Sequence, residues 1–273
     1  MKNIKVDDIE IGNNLQFTFI AGQCIIEDES SFFSMAKDLK RITSEMGIPF
    51  IFKMSYDKAN RSSVNSYRGP GVKRGLELLK QAKEMFDIKA LVDVHLPKDM
   101  EIVAEVADVV QIPAFLCRQT DLLIEAGKTG LAVNIKKGQF ISPNEVGNMI
   151  EKIYSTGNEK VMITERGTLF GYNNLVVDMR SLDIIKDYNV PVIFDATHSV
   201  QQPGGLSSGT GGERRFVPVL SKAAVAVGVA GIYMEVHQNP AIAKSDSMNQ
   251  WPFAKLKPLL EKLVAFDRVS KND

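Results

Sequence analysis

The sequence predicts an α/β fold, a (β/α)8 TIM barrel with a short N-terminal β extension, and three observations carry this prediction. Eight short apolar runs recur along the chain, and polar or glycine-rich residues and then amphipathic helical segments lie between them. The length of 273 residues suits eight such units. No Gly-x-Gly-x-x-Gly string follows the first run, and this absence counts against a doubly wound open sheet, the alternative that shares the alternation.

The eight predicted strands are apolar on both faces, as strands buried within a parallel sheet are. They span residues 17–21, 50–54, 90–94, 109–114, 131–135, 161–164, 190–194 and 230–234. Residues 1–15 precede the first strand, and we expect them to form a hairpin that plugs the N-terminal end of the barrel. Residues 1–273 are therefore predicted to form one domain.

The segments between the strands carry helical signals. Apolar residues recur at helical spacing from Phe32 to Met46 after the first strand. The string Ser142-Pro143-Asn144-Glu145 is a capping box with proline at the first helical position, and Gly157 is expected to end the helix that follows.

One connection is unusually long for a compact domain. Residues 199–215 link His198 to a helix predicted near Pro218, and they contain several glycines as well as Arg214 and Arg215. Structureless loops longer than about 12–15 residues are usually functional or mobile. We expect a lid over the mouth of an active site, although a merely tolerated insertion is the alternative.

The composition excludes several classes of function. Lys plus Arg and Asp plus Glu both number 33, so the net charge of zero gives no global attraction to nucleic acid or to an acidic membrane. Two cysteines are no disulfide framework, and they favour a reduced, cytoplasmic setting. The N-terminus has no secretory h-region, and no apolar run approaches the roughly 20 residues that span a bilayer.

Polar side chains concentrate at the predicted C-terminal ends of the strands, where catalytic groups lie in this fold. The cations among them come from separate strands or the loops after them, and they are Lys53, Lys58, Arg61, Lys136 and Arg166. Gathering so many like charges is costly unless an anion joins them. Phosphate and carboxylate are the natural anions, because arginine binds both through two parallel hydrogen bonds.

Four further residues offer a mixed set of metal ligands: Cys24, His198, Glu235 and Asp246. A thiolate, an imidazole and two carboxylates suit a divalent first-row metal such as zinc, iron, manganese or cobalt. No local CxxC or HExxH motif supports the set. A lone cysteine is usually a buried hydrophobic residue and a lone histidine a structural one, and we interpret Cys117 and His237 in that way.

Five local strings resemble those of the 3-deoxy-manno-octulosonate 8-phosphate (KDO 8-phosphate) synthases, in that family's order and over nearly the whole chain. The strings are Lys58-Ala59-Asn60-Arg61-Ser62-Ser63 with Tyr67-Arg68-Gly69-Pro70-Gly71, Gln111-Ile112-Pro113-Ala114-Phe115-Leu116 with Arg118-Gln119-Thr120-Asp121, Asn134-Ile135-Lys136-Lys137-Gly138-Gln139, Glu165-Arg166-Gly167 with Phe170-Gly171-Tyr172, and Asp195-Ala196-Thr197-His198-Ser199. Members of that family are cytoplasmic transferases that condense phosphoenolpyruvate with arabinose 5-phosphate to make a lipopolysaccharide sugar. The resemblance implies the same activity for this chain.

The resemblance implies a role for each matching position. Phosphoenolpyruvate would be bound by Lys53, Lys58, Gln111, Lys136, Arg166 and His198. Arabinose 5-phosphate would be bound by Asn60, Arg61, Ser62, Asp93, Phe115 and Arg118, with Arg118 reaching across a subunit interface of a homotetramer. The catalytic set would comprise Cys24, Lys58, Asn60, His198 and Asp246.

The residue at position 24 divides the family. Metal-dependent members have cysteine there and metal-independent members asparagine, so Cys24 implies the metal-dependent class, with His198, Glu235 and Asp246 completing the site. The stretch Ser247-Met248-Asn249-Gln250 after Asp246 differs from the small or glycine residue expected there.

Three rival functions stay open at the level of sequence. One is a related heptulosonate synthase that uses erythrose 4-phosphate, which typically has Lys-Pro-Arg where this chain has Lys58-Ala59-Asn60-Arg61. The second is a non-catalytic barrel that binds a sugar phosphate. The third is a zinc-dependent aldolase acting on free pyruvate or a ketose phosphate.

Overall fold

The computed structural model describes residues 2–61, 63–169, 174–206 and 209–271. Its strands, numbered along the chain, are β1 (Ile4–Val6), β2 (Ile9–Ile11), β3 (Thr18–Gly22), β4 (Phe50–Met54), β5 (Lys89–Asp93), β6 (Val109–Ile112), β7 (Ala132–Lys136), β8 (Val161–Glu165), β9 (Thr168–Leu169), β10 (Leu175–Val176), β11 (Val192–Asp195), β12 (Gln201–Leu206), β13 (Gly209–Gly212), β14 (Gly231–His237) and β15 (Trp251–Pro252). Its α-helices are α1 (Glu29–Glu45), α2 (Val72–Phe86), α3 (Met100–Ala104), α4 (Thr120–Lys128), α5 (Val146–Tyr154), α6 (Arg180–Lys186), α7 (Val217–Val227) and α8 (Leu256–Ser270).

Eight parallel strands close into a barrel, which confirms the predicted fold class. The strand order is β11-β8-β7-β6-β5-β4-β3-β14, and β11 pairs with β14 to close the ring. Each of the eight predicted runs overlaps one of these strands, and their ends differ by at most a few residues. The run at 109–114 stops at Ile112 because Pro113 has no backbone N–H to donate to the sheet.

Local side-chain and glycine signals mark the start of α1 and both ends of α5. The Asp28 side chain accepts a hydrogen bond from the Ser31 N–H and caps α1. The capping box between Ser142 and Glu145 is formed ahead of α5, and Gly157 follows that helix with a φ of +83°. Both predictions are therefore confirmed.

The two ends of the barrel differ in polarity. At the N-terminal end, β1 and β2 form an antiparallel hairpin whose Ile4, Val6 and Ile11 are buried. These side chains pack with inward-facing residues of the barrel strands, such as Leu91 and Met162. The hairpin therefore seals that end with apolar side chains, and the polar strand ends gather at the other.

The connection at 199–215 contains regular structure, so its description as a structureless loop is wrong, while its role as a lid stays a prediction. Strands β12 and β13 pair in an antiparallel hairpin, with Gln201 opposite Gly212 and Leu206 opposite Gly209. Among the described residues, no helix is long and apolar enough to cross a membrane.

Candidate functional site

The C-terminal strand ends place charged side chains around one cavity of about 570 Å³. Because the barrel strands are parallel, their C-terminal ends meet on one rim. Ten of the predicted site residues line the cavity: Lys58, Asn60, Arg61, Asp93, Phe115, Lys136, Arg166, His198, Glu235 and Asp246. Three more, Cys24, Lys53 and Gln111, are buried at the same strand ends, next to the cavity wall.

Two lysines and two carboxylates form a buried ionic network in the floor. Lys53 Nζ lies 2.8 Å from Glu235 Oε1 and 3.7 Å from Asp93 Oδ2. Lys58 Nζ lies 3.8 Å from the same two oxygens. Burial raises the pKa of Glu235, but Lys53, His198 and Lys58 outweigh it and hold that pKa well below its usual range.

The same balance acts on the other members of the network. Burial raises the pKa of Asp93, yet Lys53 and Lys58 bring it below the usual aspartate value. Burial lowers the pKa of Lys58, while Cys24, Glu235 and Asp93 raise it overall. The network therefore holds its ions charged inside the protein, which excellent geometry permits.

A second cluster surrounds Asp195 at the end of β11. The Asp195 Oδ2 atom lies 2.5 Å from Lys136 Nζ and 2.7 Å from His198 Nδ1. The Lys136 ammonium also sits 3.8 Å from the centre of the Tyr233 ring, a cation–π contact. Burial is the main cause of the lowered pKa of Lys136 and of Arg166. An anion in the cavity would favour the charged form of both.

Arg166 is linked to a predicted metal ligand through Gln201 on β12. Its guanidinium donates to Gln139 Oε1 at 3.1 Å and to Gln201 Oε1, and Gln201 Nε2 donates to Asp246 Oδ1 at 3.1 Å. The β12–β13 hairpin thus reaches the cavity through Gln201. Arg214 instead donates to the Ser247 carbonyl, and Arg215 pairs with Glu213.

Three of the four predicted metal ligands converge. One potential ligand atom from each of Cys24, Glu235 and Asp246 lies within 4.8 Å of the other two. Cys24 Sγ donates to Asp246 Oδ2 at 3.1 Å. His198 is not part of this triad, but its Nε2 atom lies 3.6 Å from Glu235 Oε1. Burial and Glu235 raise the pKa of the Cys24 thiol, a combination that a bound divalent cation would reverse.

Asp246 itself has a left-handed backbone, with a φ of +45°. Aspartate tolerates this region better than most residues, at a cost of about 1–2 kcal/mol. The backbone N–H groups of Asn249 and Gln250 donate to the Asp246 carbonyl and hold the turn. Such local strain is often found at functional sites.

Apart from Asp93 at the end of β5, the described residues predicted to bind arabinose 5-phosphate lie outside the barrel strands. Arg61 donates to Ser245 Oγ at 2.6 Å and to the Lys244 carbonyl at 3.0 Å. Asn60 is exposed and Phe115 is half exposed. Ser62 lies outside the described residues, as does the string at 170–172.

Two predicted binding residues, Gln111 and Arg118, do not face the main cavity directly. Gln111 Nε2 donates to Asp93 Oδ1 and Gln111 Oε1 accepts from Asn134, so its amide is engaged inside the barrel. Arg118 does not line the main cavity, and it borders a separate surface pocket with residues of α4 and α5.

Sequence reasoning missed the roles of Asp195, Gln201 and Tyr233 in this geometry. Tyr233 precedes Glu235 by two positions on β14, so the strand period alone predicts that both face one side. Gln201 gave no such signal, because its glycine-rich segment does not read as a strand.

The fold and site together define a β/α-barrel enzyme with a cation-lined cavity beside a candidate metal centre. The profile of the DAHP synthetase I family matches residues 2–271, and the chain belongs to that family. Relatives named 2-dehydro-3-deoxyphosphooctonate aldolase, another name for KDO 8-phosphate synthase, match over almost their full length.

Two of these relatives illustrate the likeness. The Rickettsia felis protein is 53% identical over 270 residues, which cover 99% of this chain and 98% of its own. The Coxiella burnetii (strain Dugway 5J108-111) protein is 51% identical over 269 residues, which cover 98% and 96% respectively. The resemblance stated from the motifs is thereby confirmed.

Proposed function

We propose that the protein condenses phosphoenolpyruvate, arabinose 5-phosphate and water to 3-deoxy-manno-octulosonate 8-phosphate and inorganic phosphate. The observation that carries this proposal is the buried set of cations at the strand ends, facing one cavity large enough for both substrates. The full-length likeness to relatives with the corresponding name supports it.

The proposed chemistry joins C3 of phosphoenolpyruvate to the sugar aldehyde carbon, while water adds at C2 and phosphate leaves. An enol phosphate is a weak nucleophile, so holding both reactants in register must supply much of the rate. Lys136 and Arg166 would bind the phosphate and carboxylate of phosphoenolpyruvate, and burial makes each such contact stronger than in water. Lys53, Lys58, Gln111 and His198 complete this proposed subsite.

A second set of residues would bind arabinose 5-phosphate. Arg61 and Ser62 would bind the sugar phosphate, and Asn60, Asp93 and Phe115 would line the sugar. Arg61 makes two hydrogen bonds to the protein itself, to Ser245 and Lys244. The substrate phosphate would replace at least one of them.

The proposed metal site uses Cys24, His198, Glu235 and Asp246. Their donors fit a divalent first-row ion, because a thiol and two carboxylates converge and His198 Nε2 faces Glu235. When bound, such an ion supplies Lewis-acid polarisation of an oxygen of substrate or water. Elemental analysis of the purified protein would identify the ion as zinc, iron, manganese or cobalt.

We propose a cytoplasmic homotetramer in which Arg118 serves the neighbouring subunit's sugar phosphate. In support, Arg118 lies away from the main cavity of its own chain, in a surface pocket. A sedimentation measurement on the wild type and on Arg118→Ala would test this. A fully active monomer would contradict it.

Phosphate release from phosphoenolpyruvate tests the function directly. Release would be measured with arabinose 5-phosphate and, separately, with erythrose 4-phosphate. Each assay would be run before and after the enzyme is treated with a chelator. We expect release with arabinose 5-phosphate only, loss after chelation and recovery with a divalent metal. Release with erythrose 4-phosphate alone would indicate the heptulosonate synthase, and release that survives complete metal removal would discard the metal assignment.

A further inference from the structure

One carboxylate oxygen of Asp195 contacts two residues that have different proposed roles. The side chain is fully buried at the end of β11. Its Oδ2 lies between Lys136 Nζ at 2.5 Å and His198 Nδ1 at 2.7 Å. Lys136 is a proposed anion-binding residue and His198 a proposed metal ligand.

The other oxygen of Asp195 is fixed by the chain that follows it. Oδ1 accepts from the backbone N–H of His198 at 2.9 Å and from that of Thr197 at 3.1 Å. The Thr197 hydroxyl also donates to it at 3.2 Å. Since these donors belong to the turn at the end of β11, the carboxylate has one orientation, with Oδ2 pointing at Lys136 and His198.

These contacts determine where the imidazole proton lies. A carboxylate oxygen is only an acceptor, so an unprotonated Nδ1 at 2.7 Å would face it lone pair to lone pair. The proton therefore sits on Nδ1 and is donated to Asp195. The 3.4 Å contact between Lys136 Nζ and Nδ1 is then no hydrogen bond to the ring, and the lysine donates to Asp195 instead.

We propose that Asp195 is a positioning residue that fixes His198 in the Nδ1–H tautomer and orients Lys136 with the same oxygen. The consequence is that the Nε2 lone pair of His198 points towards Glu235 and the candidate metal centre. A carboxylate behind a ligating histidine acts in this way at metal sites in general. The part of this inference that concerns metal rests on the proposed function; the tautomer does not.

We expect the substitution Asp195→Asn to reverse the tautomer of His198. The backbone N–H groups of Thr197 and His198 require an acceptor, so the amide oxygen takes the Oδ1 place and the amide nitrogen the Oδ2 place. The amide nitrogen then donates to Nδ1, and the imidazole proton moves to Nε2. The lone pair that faced the metal centre is lost, and Lys136 loses its acceptor.

The first measurement is the tautomer of His198 by NMR of metal-free protein with ¹⁵N-labelled histidine, at a pH where the imidazole is neutral. The chain has three histidines, so His198→Gln assigns the signal. We expect Nδ1–H in the wild type and Nε2–H in Asp195→Asn. A wild-type His198 protonated on Nε2 would overturn the inference whether or not the protein is active.

The second measurement is the affinity for cobalt(II), followed by thiolate absorption. We expect about 10–100-fold weaker binding in Asp195→Asn, the range typical of lost outer-shell partners. The control is Glu165→Gln, another buried strand-end carboxylate near a lysine, Lys137, with no contact to His198. It should keep both tautomer and affinity.

The outcomes separate this inference from the proposed function. An Nδ1–H tautomer in a wild type that binds no cobalt would support the positioning role and remove the metal from the function. Equal cobalt affinity in Asp195→Asn and the wild type would overturn the claim that Asp195 acts on the metal ligand.

Discussion

The half of the site built on barrel strands and the half built on loops differ in how completely their polar groups are paired. On the strands, Lys53, Lys136 and Glu235 are buried, and each lies within 3 Å of an oppositely charged group. On the loops, Asn60 is exposed and Arg61 binds the protein's own Ser245 and Lys244 carbonyl.

The difference indicates how the site is organised before substrate arrives. Strand-borne groups are fixed by sheet hydrogen bonds on both sides, so their geometry is set by folding. Loop-borne groups such as Arg61 can exchange partners more readily, because the residues they contact, Lys244 and Ser245, line the cavity in which a substrate phosphate would lie. We therefore expect the strand half to be preformed and the loop half to rearrange around the sugar phosphate.

The largest expected effect comes from breaking the strand half at its candidate metal centre. Cys24→Ala should abolish metal binding and phosphate release while leaving the fold intact, because the thiolate is the proposed soft ligand. Metal content, phosphate release and thermal unfolding measure the three properties. Cys117→Ala is the control, since Cys117 is the other buried free cysteine and lies apart from the triad.

Both cysteine variants should lose only about 1 kcal/mol of stability, as small cavities cost. Full activity in metal-free Cys24→Ala protein would refute the role. So would the loss of metal from Cys117→Ala alone.

Two adjacent lysines separate chemistry from stability. Lys136 lines the cavity, whereas the ammonium of Lys137 is fully buried away from it, 3.6 Å from Glu165. Lys136→Met should raise KM for phosphoenolpyruvate or lower kcat by about 10–100-fold, the equivalent of a charged hydrogen bond of about 1.5–3 kcal/mol. Lys137→Met should leave KM and kcat unchanged. Both variants should also lower the free energy of unfolding, by up to about 3–5 kcal/mol, because each leaves a buried carboxylate, Asp195 or Glu165, without its lysine.

Steady-state kinetics and denaturant unfolding on both variants check this pair of expectations. If Lys137→Met proved the more damaging to KM at unchanged stability, the division between the two residues would be wrong.

A smaller effect is expected in the loop half. Arg61→Ala should raise KM for arabinose 5-phosphate about 10-fold, since it removes one charged contact to a phosphate while other groups remain. It should leave cobalt affinity unchanged. Arg68→Ala, on the same loop, removes an exposed ion pair with Asp57 and should change neither KM nor metal binding.

Titration of the two substrates separately distinguishes these cases. An Arg61→Ala protein with normal KM for the sugar but a raised KM for phosphoenolpyruvate would mean that the loop serves the other substrate.

The sequence predicted most of the fold and the gathering of cations at the strand ends, because both depend on local signals. The apolar runs fixed where strands lie, and parallel strands bring the residues that follow them to one rim. Contacts between distant segments were beyond its reach: Arg61 bonds to Ser245 at 184 residues' separation, and Gln201 reaches Asp246 from a hairpin whose glycines hide the strand pattern. The contact between His198 Nδ1 and Asp195 likewise depends on side-chain geometry, which the spacing of residues along the sequence does not determine.

The smallest expected effect is in the pH dependence of stability, and it again contrasts the two halves. The pKa of Asp93 is lower in the folded protein than its usual value, owing to Lys53 and Lys58. The unfolded chain therefore binds more protons once the pH falls below about 4. By linkage, the stability contributed by Asp93 is present above that pH and is lost as the pH falls towards its folded-state pKa.

Asp93→Asn lacks this contribution, so its free energy of unfolding should lie furthest below the wild type near neutral pH. The gap should narrow below pH 4, by at most about 1.4 kcal/mol per pH unit. Asp57→Asn, which breaks the exposed pair with Arg68 in the loop half, should differ from the wild type by less than about 1 kcal/mol at every pH. Denaturant unfolding across the acid range measures both gaps. A gap for Asp93→Asn that stays constant with pH would mean that its carboxylate is not held charged by the two lysines, and the strand half would then be less preformed than its geometry indicates.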